Sequence, residues 1–146
     1  MKRAVDRAVN PNIWSGVGGK VEPCEINDPY AACIREIEEE TGLTSCDIKG
    51  LTLRYVVLRR RENVITQSYI YFGQTTSRQF ADSDEGLLYW IPKEDLLSKQ
   101  YTPTYAEMMR HYLSDASDPN AVFVGVSEKR NDALHMMWTR IEDYER

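Results

Sequence analysis

Three glutamates, Glu36, Glu39 and Glu40, stand at positions i, i+3 and i+4 of a segment free of helix breakers between residues 30 and 41. At about 100° per residue, that spacing gathers the three carboxylates within an arc of about 100° on one helix face. Glu38 falls outside the arc, near the edge of the opposite stripe. Like charges this close repel unless something positive lies among them. Oxygen donors carrying full negative charge suit a hard divalent ion such as Mg²⁺ or Mn²⁺. Taken alone, a run such as Arg35-Glu36-Ile37-Glu38-Glu39-Glu40 is usually no more than a solvated helix face. The residues ahead of it change the balance. Ser15-Gly16-Val17-Gly18-Gly19 is a backbone that turns tightly and lets a ligand come close, and Lys20 adds positive charge. This loop is not the G-x-x-x-x-G-K-[ST] phosphate loop.

The elements that must position these groups follow from caps and periodicity. Asp28 suits an N-cap, Pro29 the first helical position and Gly42 the residue just past the end. Tyr30, Ile34, Ile37 and Thr41 fall within about 60° of one another and are expected to be the buried stripe. Residues 1–23 read as loop. Over residues 48–74 the pattern is that of strands: Leu51, Leu53, Tyr55 and Val57 alternate, Arg61-Glu62-Asn63 turns, and Ile65, Gln67, Tyr69 and Tyr71 follow. A polar loop over 75–86 leads to a short apolar strand over 87–91, and Pro92-Lys93-Glu94-Asp95 opens a short helix. Tyr105, Met108, Met109, Tyr112 and Leu113 recur at helical spacing, which predicts a second amphipathic helix with a core-facing stripe. Residues 121–126 and 134–141 read as a final hairpin. Sheet with helices packed on it is the expected architecture.

The bulk properties narrow the function. The 146 residues fit one domain, 1–146. No apolar run reaches the roughly 20 residues that span a bilayer, and nothing at the start resembles a signal peptide. A cytoplasmic protein without membrane association is expected. Cys24, Cys33 and Cys46 are odd in number and form no CxxC pair, so free thiols are expected rather than disulfides or a zinc ribbon. A net charge of −5 disfavours polymeric nucleic acid as partner, but a small polyanion can bind an acidic site through divalent metal.

Gly19, Glu25, Arg35, Glu36, Ile37, Glu39, Glu40, Gly42 and Leu43 together resemble the Nudix box, G-x5-E-x7-R-E-U-x-E-E-x-G-U with U aliphatic. One spacing departs from it: nine residues separate Glu25 from Arg35. Asp28 and Pro29 keep the usual distance from Arg35, so the two extra residues lie in the loop ahead of Asp28, and Glu25 receives no assigned role. Cys24 also stands where the family commonly has glycine. Trp14-Ser15-Gly16-Val17-Gly18-Gly19-Lys20-Val21-Glu22 is similar to the lead-in of the MutT and 8-oxo-purine triphosphatase branch. Ser83-Asp84-Glu85 followed by Trp90-Ile91-Pro92 resembles that branch's acidic loop and next strand.

The resemblance implies an α/β (α+β) fold, an α/β/α sandwich around a mixed central sheet. It implies metal-dependent hydrolysis of a diphosphate linkage in a nucleoside triphosphate or another nucleoside-diphosphate-linked compound. Glu36, Glu39, Glu40 and the Gly18 carbonyl would hold Mg²⁺ or Mn²⁺, and Arg35 would orient the carboxylates. Glu85 would reach the site from its loop, and Glu40, Glu39 or Glu85 would accept the proton of the attacking water. Arg3 and Lys20 would face phosphate, with a surface arginine as the other reading of Arg3. Trp14 or Tyr101 would stack on the base, or else simply pack. Ser15 follows Trp14 where the animal 8-oxo-purine enzyme has asparagine, and Tyr101-Thr102-Pro103-Thr104 replaces its acidic region. Purine discrimination of that kind is therefore not implied.

In the family, the Lys2-Arg3 pair ends a strand that begins well upstream. Here only Met1 precedes Lys2, so either the native chain begins further upstream or the first strand is missing, its place taken by a C-terminal strand or a neighbouring chain, which makes a homodimer plausible. Two other readings remain: a nucleotide-binding domain of weak or silent catalysis, and a protein-interaction module, for which no exposed apolar motif is seen. His111 and His135 are isolated and receive no role.

Overall fold

The computed structural model describes residues 1–4, 11–81, 86–114 and 118–144. Helix α1 spans Pro29–Thr41, with boundaries set by the signals read from sequence. The Asp28 carboxylate accepts the Ala31 N–H at 3.0 Å, Pro29 sits where no N–H is needed, and Gly42 leaves the helix in the left-handed region at φ 73°. A Cβ on Gly42 would press against Ala81, whose N–H closes on the Thr41 carbonyl at 2.8 Å. Tyr30 was expected in the buried stripe but is 47% exposed. The buried residues of α1 are Ala32, Glu40 and Thr41.

The strands are β1 (Lys2–Arg3), β2 (Lys49–Arg61), β3 (Val64–Gln74), β4 (Gly86–Leu87), β5 (Val122–Arg130) and β6 (Ala133–Ile141), with helix α2 at Pro103–Ser114. β1 and β4 pair antiparallel, and the other four form a sheet in the order β3-β2-β5-β6. β5 runs parallel to β2 and antiparallel to β6, so this sheet is mixed, as expected for the α/β class. β5 lies beside β2 in this sheet, with β6 at its outer side. Asn131 and Asp132 close the last hairpin with φ of 47° and 61°, the left-handed pair that a two-residue turn between twisted strands needs. Two expectations are corrected. The strand placed at 87–91 is only Gly86–Leu87, because it pairs with just two residues, Lys2 and Arg3. The stretch read as loop over 1–23 contains those two strand residues.

The chain divides into two compact units, Met1–Gly50 with Gly73–Thr102 and Leu51–Phe72 with Pro103–Arg146. In the second, the core is aromatic. Tyr55 on β2 is fully buried, stacks near Phe123 at 5.8 Å and meets Trp138 edge-on at 5.1 Å. Its hydroxyl shares a 3.0 Å hydrogen bond with His111 Nδ1, which gives that histidine a structural place. Met108 and Met109 of α2 are buried, and Tyr112 stacks on Phe72 at 4.1 Å, so the Met and Tyr stripe is core. Gly125 faces Trp138 across the β5–β6 ladder, and a Cβ there would collide with the indole. Arg54 is buried as well, donating to the carbonyls of Pro119 at 2.5 Å and Asp118 at 3.0 Å. No described helix is long and apolar enough to cross a membrane.

Candidate active site

In the first unit a cluster of charge surrounds the carboxylate helix. The Arg35 guanidinium is the centre of a cluster. Its Nε and Nη2 donate to the two Glu25 oxygens at 2.7 and 2.9 Å, a bidentate pairing of matched planar groups. Nη2 also donates to the Lys20 carbonyl at 3.0 Å. On the other side, Nη1 donates to Glu36 at 2.8 Å and Glu39 at 2.9 Å. One side chain thus ties the end of the glycine loop, the residues ahead of the helix and the carboxylate face of α1 together. Arg35 beside it, with the Glu22 N–H, holds the Glu25 carboxyl down at about 2, well below its ordinary 4.5. The same carboxylates raise Arg35 above the usual arginine range.

The Glu25 result supplies what its spacing had left open. The two extra residues are absorbed by a 3-10 turn over Pro23–Glu25, and Asp28 N–H then closes on the Glu25 carbonyl at 2.7 Å. The Glu25 side chain is delivered to Arg35 despite the longer loop. Pro23 after Glu22, with Glu25 three residues on, was the available signal: Glu22 N–H is accepted by the Glu25 carboxylate at 3.0 Å.

Glu40 differs from its neighbours. A helical wheel puts it on the polar face, yet it is 5% exposed. The glycine loop covers it, and Gly18 N–H donates to its Oε2 at 2.8 Å. Gly18 holds φ at 142°, which L side chains rarely adopt. At Gly19 a Cβ would collide with the Glu36 carboxylate. Loop and helix are therefore in direct contact at two successive glycines. Glu39, by contrast, has a side chain 58% exposed, and Glu38 is exposed although the wheel set it near the edge of the buried stripe.

Of the remaining site residues, Arg3 and Trp14 stand at β1. Trp14 bridges to Lys2 of β1, its N–H donates to the Gln100 carbonyl at 2.9 Å, and its ring lies 5.3 Å from Tyr89. Tyr101 follows Gln100 directly and is half-buried, which raises its phenol above the ordinary value. Arg3 Nε and Ser15 Oγ are buried without a hydrogen-bond partner. Lys20 is exposed, and its carbonyl rather than its ammonium is what the structure engages. Glu85 lies outside the described residues, although Gly86 beside it pairs with Arg3. Tyr89 was not anticipated from sequence.

The donor set fits a hard cation in chemistry. Four carboxylates, those of Glu25, Glu36, Glu39 and Glu40, sit with one guanidinium on adjoining segments, and that excess of oxygen-borne negative charge is what Mg²⁺ or Mn²⁺ binds. Among the described residues no three acidic side chains already converge on a single point. Cys24, Cys33 and Cys46 are free thiols and contribute no soft donor set.

The family model for the NUDIX domain matches residues 1–112, which takes in the glycine loop, the carboxylate helix and the Trp14 cluster alike. The chain belongs to the Nudix family, hydrolases that generally use divalent metals.

Proposed function

We propose that the whole chain, 1–146, acts as one MutT-like pyrophosphohydrolase domain that cuts the diphosphate linkage of a nucleoside triphosphate or another nucleoside-diphosphate-linked compound. The observation that carries this reading is the 2.8 Å bond from Gly18 N–H to the buried Glu40 carboxylate, because it joins the glycine loop and the carboxylate helix into one site. Glu36, Glu39, Glu40 and the Gly18 carbonyl hold Mg²⁺ or Mn²⁺. When bound, the ion offsets the charge of the diphosphate, makes phosphorus more electrophilic and acidifies water.

The chain's own groups do the rest. Arg35, clamped by Glu25, fixes where the Glu36 and Glu39 carboxylates stand. Glu40, Glu39 or Glu85 accepts the proton of the attacking water. Arg3 and Lys20 oppose charge on the phosphates, and the buried, unpartnered Nε of Arg3 is a donor that an anionic ligand's approach would help to compensate. Trp14 and Tyr101 stand at the base end. The working protein is taken to be cytoplasmic and homodimeric, with no polymeric nucleic acid or membrane as partner.

A second reading has its own observation. Arg35 engages both Glu36 and Glu39, which favours a nucleotide-binding domain of weak or silent catalysis. Incubation with nucleoside triphosphates, ADP-ribose, dinucleoside polyphosphates and nucleotide sugars separates the two. The hydrolase reading expects phosphate or diphosphate release that requires Mg²⁺ or Mn²⁺ and stops in EDTA, together with a thermal midpoint raised by the metal. Full turnover in EDTA contradicts the mechanism. Metal-raised stability without product release from any of the compounds supports the silent domain.

A further inference from the structure

Three segments of the first unit meet at Trp14. β1 bridges to it through Lys2, Tyr89 lies against its ring, Gln100 accepts its N–H, and the Lys99 ammonium stands 5.6 Å from the indole centroid. Tyr89 is 48% exposed, so a phenol ring backed by an indole reaches solvent, and the same indole has a cation near it. Lys99 makes no ion pair among the described residues. The same place holds the two unsatisfied polar atoms of this unit's described residues, Arg3 Nε and Ser15 Oγ. From Trp14 the chain runs four residues to Gly18, at most about 14 Å, where it touches Glu40. A ligand with its diphosphate at the carboxylates can therefore bring its other end to this cluster.

The chemistry of that other end follows from donor and acceptor rules. An exposed aromatic ring takes the face of any base. An ammonium only donates, so it favours base edges that present acceptors: guanine with O6 and N7, or uracil with its 4-oxo group. It gains less at adenine, where a donating amine stands beside the N7 acceptor, and at the 4-position of cytosine, where an amine replaces the oxo group. We propose that Tyr89 and Lys99 complete, with Trp14, the surface that reads the substrate's base, and that Lys99 selects oxo bases over amino bases in purines and pyrimidines alike. This rests on the nucleotide reading above and adds a selection rule to it.

The test is equilibrium dialysis of the full chain with Mg²⁺ against UMP, CMP, GMP and AMP. The expected result is UMP tighter than CMP and GMP tighter than AMP, each by roughly five- to tenfold. Lys99→Met brings both ratios near one, Lys99→Arg restores them, and Tyr89→Ala weakens all four ligands by roughly tenfold. Circular dichroism of each variant confirms its folding, and Tyr89→Leu replaces Tyr89→Ala if the latter does not fold. Equal affinities in the wild type, no binding of any of the four, or ratios unchanged in Lys99→Met overturn the inference. Such results leave the hydrolase reading intact, because that reading is decided by metal-dependent turnover, and absent turnover with preserved selectivity sinks only the catalytic claim.

Discussion

Around Tyr55, rings meet rings in a buried cluster that also holds a hydrogen bond between the phenol and His111. Around Arg35, a guanidinium 28% exposed in its side chain gathers carboxylates. The first arrangement gains from removing apolar surface from water, so its loss is felt in stability. The second gains little net stability, because partly exposed ion pairs are screened and offset by the ordering of long side chains. Its geometry makes sense as preparation for chemistry. The two regions should therefore respond oppositely to substitution, one in folding and the other in turnover.

The largest stability effect is expected at Tyr55→Ala, which empties the centre of the aromatic cluster and should cost about 3–5 kcal/mol in urea unfolding. A loss under about 1 kcal/mol would mean that the cluster is not the core of its unit. Gly19→Ala belongs to the other region. Its Cβ meets the Glu36 carboxylate, so turnover should fall at least tenfold while the thermal midpoint moves by no more than a few degrees. Equal damage to both would erase the contrast. Tyr55→Phe keeps the ring and removes the hydroxyl with its bond to His111, a loss of about 1 kcal/mol measurable in the same unfolding experiment.

The smallest effect is one of pH. Glu25 has its folded value depressed to about 2 from 4.5. Its contribution is thus fully present above pH 4.5 and is lost as pH falls towards 2. The difference in thermal midpoint between wild type and Glu25→Gln should be constant at neutral pH and vanish across that window. A difference that persists below pH 2 would remove the charge from the explanation.

Local signals were legible in the sequence and long-range ones were not. Asp28, Pro29 and Gly42 act within a turn of the helix they bound, so composition alone located them, and the final hairpin was read from its strands although its Asn131-Asp132 turn was not. The burial of Glu40 depends on an N–H twenty-two residues away in sequence, which no helical wheel contains. Tyr30 misled for the converse reason. Its spacing matches Ile34 and Ile37, but it lies in the first turn of α1 and is not covered. Glu25 was obscured by counting residues, because spacing measures chain length while a 3-10 turn changes how far that length reaches. Tyr89 fell in an apolar run read as strand, where exposure cannot be told from burial.

The central claim is that Glu40, buried under Gly18, belongs to a metal-dependent hydrolytic site, while Glu38 two residues away does not. Metal-dependent release of phosphate or diphosphate by wild type, Glu40→Gln and Glu38→Gln tests it in one assay. The account predicts a loss of several orders of magnitude for Glu40→Gln with folding nearly intact, and almost no change for Glu38→Gln. Equal losses at the two positions, or full activity in Glu40→Gln, would contradict it.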